Sequence, residues 1–193
     1  MILSYYKKII CFFVLALMIV FFQPFFAYAK NKALLDNIKL ANTRDDLVVY
    51  FDVQKAFTQK IRQAILNGIK TTFVFNIKLY KTDDSWFKDK VSEIKIESTI
   101  KYNSLKKEFS VIRLWKKETP NIVQSFEKAQ ELMTEIDNLK LVSLKKLIKK
   151  NNYQLHIKAD LDKITLPLSL HHVFFFLSFW NVETNWFIVN FIY

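Results

Sequence analysis

The sequence predicts an α+β fold in which a mostly antiparallel β-sheet carries two packed helices. Several segments alternate apolar and polar residues with a period of two, which is typical of strands with one buried face. Two other segments have apolar residues at helical spacing, and short polar turns connect neighbouring strands. A β-sandwich with peripheral helices is the alternative fold.

The first predicted elements are a β-hairpin and a helix. Residues 34–40 pair with residues 47–53 through the polar turn NTRD. From Phe57 the apolar spacing becomes helical, with Thr58 as the N-cap and Gly68 just beyond the last turn. Gly68 is the only glycine of the chain. Its position indicates a left-handed C-cap, because glycine adopts a positive φ without steric cost.

The central part of the chain predicts three strands. Thr71–Tyr80, Ile94–Tyr102 and Phe109–Trp115 each place apolar residues on one face of an extended segment. The polar pair Asn103-Ser104 provides a turn between the last two segments. We therefore expect them to form a second antiparallel hairpin.

The C-terminal half predicts a second helix and further strands. Phe126–Ile136 has an apolar stripe at helical spacing behind Ser125, a candidate N-cap. Leu144–Lys150 follows as a short basic amphipathic turn with its leucines on one side. Tyr153–Leu161 then alternates as a strand, and the apolar segment Phe187–Tyr193 has strand propensity.

Residues 1–29 are predicted to form a secretory signal peptide. Lys7 and Lys8 provide its charged end, an apolar run covers Ile9–Phe22, and residues 27–29 form the A-x-A cleavage site AYA. An uncleaved membrane anchor is the alternative, but the apolar run is short for the roughly 20 residues that a spanning helix needs. We expect an exported protein, periplasmic or envelope-associated.

Removal of the signal peptide would leave residues 30–193, which we expect to form a single β-rich domain. This length is ample for one hydrophobic core and too short to suggest two domains. The only cysteine, Cys11, lies within the signal. The exported chain would therefore have neither a disulfide nor a thiol nucleophile, and we expect its core to hold the fold together.

The chain is strongly basic, with a formal net charge of +11. Such an excess favours nucleic acid, anionic lipid or an acidic partner. Nucleic acid is disfavoured by export and by the small number of arginines, because bidentate phosphate recognition relies mainly on arginine. The three arginines are Arg44, Arg62 and Arg113. Most lysines are expected to form a solvated surface.

The sequence lacks the motifs of the large enzyme classes. A P-loop, a dinucleotide fingerprint and a G-x-S-x-G elbow all require several glycines. The histidines His156, His171 and His172 lack the spacing and the additional ligands of a zinc site. The aspartate pairs at 45–46 and 83–84 fit turn chemistry. We expect no enzymatic activity, metal or cofactor; a periplasmic hydrolase that uses scattered carboxylates is the alternative.

The region near the C-terminus is unusually apolar. The run VFFFLSFW, residues 173–180, contains seven large apolar residues, each worth about 1.5–3 kcal/mol when buried. We expect these side chains to be buried in the domain's own core, and the alternative is that they line a partly exposed groove or a membrane-facing edge. Together with the basic turn, this region predicts contacts with a protein or a hydrophobic or lipid partner, including a membrane surface. The predicted contact residues are Phe176, Phe179, Trp180, Trp186, Phe187, Lys145, Lys146, Lys149 and Lys150.

The C-terminal region also carries a family resemblance. The segment Leu166-Pro167-Leu168, the run FFFLSFW and the following VETNW with its apolar finish resemble the bacterial domain-of-unknown-function family 4390. The similarity extends over most of residues 30–193. It implies an exported protein without an assigned activity or a cofactor. The family pattern more often has aspartate at the positions of Asn181 and Asn185, and tyrosine at that of Phe187, so a ligand that depends on those acidic positions is in doubt here.

These observations favour an exported, non-enzymatic, envelope-associated domain that binds a protein or hydrophobic partner in the cell envelope. A purely structural envelope component is the third hypothesis, beside the hydrolase. Trp180, Trp186 and Phe187 are the residues that we expect at the centre of the contact.

Overall fold

The structure is a computed structural model that describes residues 33–82, 88–162 and 182–193. The predicted signal peptide lies outside these ranges. The described chain forms strands, two helices and one 3-10 turn in the following order: β1 (Leu34–Asn42), β2 (Asp46–Gln54), α1 (Gln59–Leu66), β3 (Thr71–Thr82), β4 (Lys88–Asn103), β5 (Glu108–Arg113), β6 (Lys117–Val123), α2 (Phe126–Thr134), β7 (Glu135–Ser143), the 3-10 turn (Leu144–Lys146), β8 (Asn152–Leu161) and β9 (Phe187–Ile192).

The strands form two antiparallel sheets. The smaller sheet has the order β1-β2-β7, and the larger, six-stranded sheet has the order β6-β5-β4-β3-β8-β9. The predicted α+β fold with mainly antiparallel sheet and two helices is therefore confirmed. In each sheet one strand pairing joins segments that are far apart in the sequence. Val49 of β2 pairs with Leu139 of β7, and Ile77 of β3 pairs with Ile157 of β8.

One hydrophobic core lies between the inner faces of the two sheets. The alternating apolar residues of β3 all point into it, as the sequence predicts. Phe75 of β3 is fully buried, and its ring packs edge-on against Phe51 of β2 with centroids 5.9 Å apart. Contacts of this kind join the sheets, because each sheet alone would expose one apolar face.

Both predicted caps of α1 are present. Thr58 Oγ1 accepts a hydrogen bond from Ile61 N at 3.3 Å at the start of α1. At its end Gly68 has a φ of 83°, and Ile69 N donates to Ala64 O at 3.0 Å, which is the pattern of a Schellman motif. Within the described ranges no helix has the length and hydropathy needed to span a bilayer.

Three segments differ from the sequence prediction. The second helix ends at Thr134 and not at Ile136, because the chain turns there into β7, where Ile136 pairs with Phe51. Strand β6 was not predicted, since its sequence KETPNIV has little apolar alternation. The prediction of a basic amphipathic turn over Leu144–Lys150 is wrong beyond Lys146, because only Leu144–Lys146 is helical. Leu147 is buried and Ile148 is exposed, so the two do not share one buried face.

Candidate functional site

The chain reaches β9 along an irregular path beside β8. A bridge pairs Asp160 with Glu183, whereas the regular pairing begins at Ile157 and Phe187. The C-terminal segment therefore has one residue more than β8 between these two pairs. An extra residue of this kind acts as a β-bulge, which increases the local twist and redirects a side chain.

Trp186, within this bulge, lies on the outer face of the six-stranded sheet. Its ring centroid is 6.2 Å from that of His156, and Lys78 Nζ is 5.7 Å from the indole centroid. Tyr80 also packs against His156, with centroids 4.9 Å apart. Because the indole is still 43% exposed, these rings present an aromatic surface to solvent.

The ring of His156 is held in this cluster by a hydrogen bond from its Nε2. Its Nε2 lies 2.7 Å from Gln154 Oε1, an oxygen that also accepts a hydrogen bond from Lys88 Nζ at 2.6 Å. Since this oxygen is an acceptor, Nε2 is the protonated nitrogen of the ring. Partial burial lowers the pKa of His156, and the positive charges of Lys88 and Lys78 lower it further. The ring therefore contributes a packing surface and a hydrogen-bond donor.

The charged side chains around this cluster form ion pairs with one another. Lys78 and Lys90 both contact Glu93, at 3.0 and 2.5 Å. Lys158 Nζ lies 2.9 Å from Asp160 and 3.1 Å from Glu183, and its hydrogen bonds with these two carboxylates raise the pKa of Lys158. Because Lys78, Lys90 and Lys158 each contact a carboxylate, they do not form a concentrated anion site.

The outer edge of β9 presents backbone hydrogen-bonding groups. Tyr193 N donates to Asn151 O of the β8 side at 3.2 Å. Since backbone groups alternate in direction along an antiparallel strand, Ile188, Asn190 and Ile192 point their N–H and C=O groups away from β8. Within the described residues β9 has one strand partner, β8, so these groups form an edge.

The other three edges of the described sheets carry features that oppose pairing. β1 contains Asp36 and Lys39, with a register shift between them. β7 contains Asp137 and Lys140, and β6 contains Pro120. Charged residues, proline and bulges are the usual means of blocking an edge strand. β9, with the sequence FIVNFI, has no charged residue, proline or bulge along its paired length.

Exposed apolar side chains concentrate at this edge. Ile192 is 72% exposed and Ile188 is 48% exposed, and both lie on the outer face of β9. Trp186 and Phe187 at the start of the strand are also exposed, as is Ile148 near its end. Several exposed apolar side chains along one edge strand are typical of an interaction site. We call the segment Trp186–Ile192 the β9 edge.

The predicted basic residues lie at one end of the β9 edge. Lys145, Lys146, Lys149 and Lys150 are all exposed. Lys150 N donates to Tyr193 O at 2.5 Å, which fixes this segment beside the C-terminal end of β9. We call residues 145–150 the basic segment.

The structure brings together only part of the predicted contact set. Trp186 and Phe187 lie at the start of β9, and the basic segment lies at its other end. The predicted contacts Phe176, Phe179 and Trp180 lie outside the described residues. Ile188 and Ile192 are not among the predicted contact residues, although the alternation of β9 could have indicated that one face of a terminal strand is exposed.

Scattered carboxylates line a separate open cavity of about 410 Å³ between β2, α2 and the start of β7. Asp52 in this cavity accepts a hydrogen bond from Asn37 at 2.8 Å, and Glu127 pairs with Arg62 at 3.3 Å. Glu131 pairs with Lys128 at 2.6 Å. Among the described residues no group of three or more histidine, cysteine and acidic side chains is arranged to hold a metal ion.

Two of the departures from the family pattern fall in the described region: Asn185 and Phe187 are both exposed beside Trp186. Comparison with curated proteins and with solved structures found no match. The family model described as Domain of unknown function (DUF4390) matches residues 30–190. This range includes all of the elements from β1 to β8 and most of β9, so the chain belongs to the DUF4390 family.

Proposed function

We propose that this chain is an exported, non-enzymatic domain that binds an extended protein segment by strand addition at the β9 edge. The observation that carries the proposal is that β9, unlike the other edges of the described sheets, has no blocking charge, proline or bulge. Outward backbone groups of Ile188, Asn190 and Ile192 supply the donors and acceptors that an added strand requires.

Hydrogen bonding favours a protein segment over lipid as the occupant. Each backbone hydrogen bond to an added strand contributes a net of about 0.5–1.5 kcal/mol. An apolar lipid phase offers no partners for the same groups, and each unpaired group in it costs several kcal/mol. The apolar side chains of Ile188 and Ile192 alone would suit either environment, but the backbone edge suits only a strand.

The charges at the β9 edge define the chemistry of the partner. The strand itself is uncharged, so the partner should present apolar or small polar residues where it passes β9. In antiparallel addition its N-terminal end lies beside Tyr193 and the basic segment. Acidic residues at that end of the partner would pair with Lys149 and Lys150.

A designed peptide tests this proposal on the purified protein. The probe is a peptide of two glutamates followed by alternating valine and threonine. We expect saturable NMR shifts at the amides of Ile188, Asn190 and Ile192. Replacing the glutamates by lysines should weaken binding about threefold to tenfold at low salt. N-methylation of the alternate amides that face β9 should abolish binding, whereas N-methylation of the other amides should not.

The matched protein variants are Ile188→Lys on β9 and Ile122→Lys on the β6 edge, because the two isoleucines are similarly exposed, at 48% and 52%. Only Ile188→Lys should prevent peptide binding, because it places a charge on the added-strand edge away from the glutamates of the peptide. Binding that survives this variant, or that is unaffected by either N-methylation pattern, would contradict strand addition. If the peptide does not bind but the protein floats with phosphatidylglycerol-containing vesicles, the surface is a lipid contact and the proposal is wrong.

Export is supported by the N-terminal charge, apolar run and AYA site, and by a family match that begins at residue 30. We expect mass spectrometry of the exported product to give Lys30 as its first residue. A product that retains Met1 would contradict cleavage after Ala29.

A further inference from the structure

We propose that the segment bound at the β9 edge is β9 of a second copy of this chain, in an antiparallel two-fold dimer. This inference rests on the proposed function and names its partner. It follows from the symmetry of the outward groups: Ile188 and Ile192 lie at equal distances on either side of Asn190.

A two-fold axis at Asn190 pairs every outward backbone group of the strand. Asn190 then lies opposite Asn190 of the second copy, and Ile188 lies opposite Ile192. The three residue pairs exchange six backbone hydrogen bonds, two for each hydrogen-bonded pair. The two six-stranded sheets become one continuous sheet.

The side chains are also self-complementary in this register. On the outer face isoleucine meets isoleucine at both ends, and two asparagine amides meet at the centre. Asn190 Oδ1 accepts a hydrogen bond from Gln154 Nε2 at 2.8 Å. Its Nδ2 and the second lone pair of Oδ1 remain to donate to and accept from the second copy. On the inner face Val189 lies opposite Phe191 of the second copy. No pair along the strand brings like charges together, since β9 is uncharged.

The basic segment selects the antiparallel arrangement. It is fixed beside the C-terminal end of β9 by the hydrogen bond between Lys150 N and Tyr193 O. A parallel pair would bring the lysines of both copies side by side, which like-charge repulsion disfavours. In the antiparallel pair each basic segment lies at the end where the second copy has Trp186 and Phe187, and lysine over an aromatic ring is a favourable contact.

A charge-swap experiment tests the register at the symmetry axis. We expect the purified wild-type protein to double in mass with increasing concentration in analytical ultracentrifugation. Asn190→Lys and Asn190→Glu should each weaken this association on the order of tenfold, because like charges then face each other. An equimolar mixture of the two variants should restore the dimer, since lysine then faces glutamate. Ile122→Lys on the β6 edge is the control and should dimerise like wild type.

The outcomes separate this inference from the proposed function. Restoration by mixing supports the dimer and excludes misfolding of the variants as the cause of dissociation. Dimers that persist in both single variants would mean another interface and overturn the inference. A wild-type protein that stays monomeric at its highest soluble concentration also overturns it, while binding of the designed peptide would still support strand addition. Failure of both tests rejects both proposals.

Discussion

Replacing Phe75 with alanine is expected to lower the free energy of unfolding by about 3–5 kcal/mol. Phe75 is fully buried between the two sheets, and its ring packs against Phe51 at 5.9 Å and Trp115 at 6.2 Å. Alanine would remove these contacts and leave a cavity that the rigid sheets cannot close. Since domains have a net stability of about 5–15 kcal/mol, this loss removes a large share of it and should lower the melting temperature of the variant.

Urea denaturation followed by circular dichroism measures this loss. Phe75→Leu is the control, because leucine retains much of the apolar volume and should cost less than half as much. If the free energy of unfolding of Phe75→Ala lies within about 1 kcal/mol of the wild-type value, a core shared by both sheets is contradicted.

Replacing Arg113 with methionine is expected to increase stability by about 1–3 kcal/mol. Arg113 is the last residue of β5, and its side chain is only 8% exposed on the inner face of the sheet. Within the described residues its Nε has no hydrogen-bond partner. The neighbouring Ser98, opposite it on β4, donates its hydroxyl hydrogen to Met133 Sδ at 3.1 Å.

Methionine has a similar unbranched length and removes both the charge and the unpaired donor. Arg113→Lys keeps a positive charge in the same place and should bring no such gain. The free energies of unfolding of the three proteins, measured in urea at one pH, give the comparison. A methionine variant less stable than wild type would mean that the guanidinium has a counter-charge in the folded protein.

The strands with one buried face and one solvent-exposed face could be predicted from the sequence. From Phe73 to Leu79 in β3 and from Tyr153 to Leu161 in β8 every second residue is apolar and buried, so the period of two alone locates these strands. Strand β7 was not predicted, and its first two residues were assigned to the second helix because Ile136 fits the apolar stripe of that helix. The true partner of Ile136 is Phe51 of β2, which is distant in sequence, and a local pattern contains no information about that pairing.

The candidate site was predictable by residue type but not by arrangement. The exposed lysines and Trp186 stand out in the sequence, yet their positions at the two ends of one strand follow from the pairing of β9 with β8. The packing of Trp186 on His156 and Lys78 depends on a single extra residue near position 185. Such a bulge has no signature in composition or periodicity, because it is fixed by register alone.

The non-local pairing of the two central strands also sets the order in which the molecule assembles. The hairpins from β3 to β6 are adjacent in the chain and close with little loss of entropy. Strands β2 and β3 must wait for β7 and β8, which emerge later from the ribosome. Until then their apolar faces and strand edges remain exposed to solvent. The incomplete chain must therefore be protected from aggregation during its synthesis.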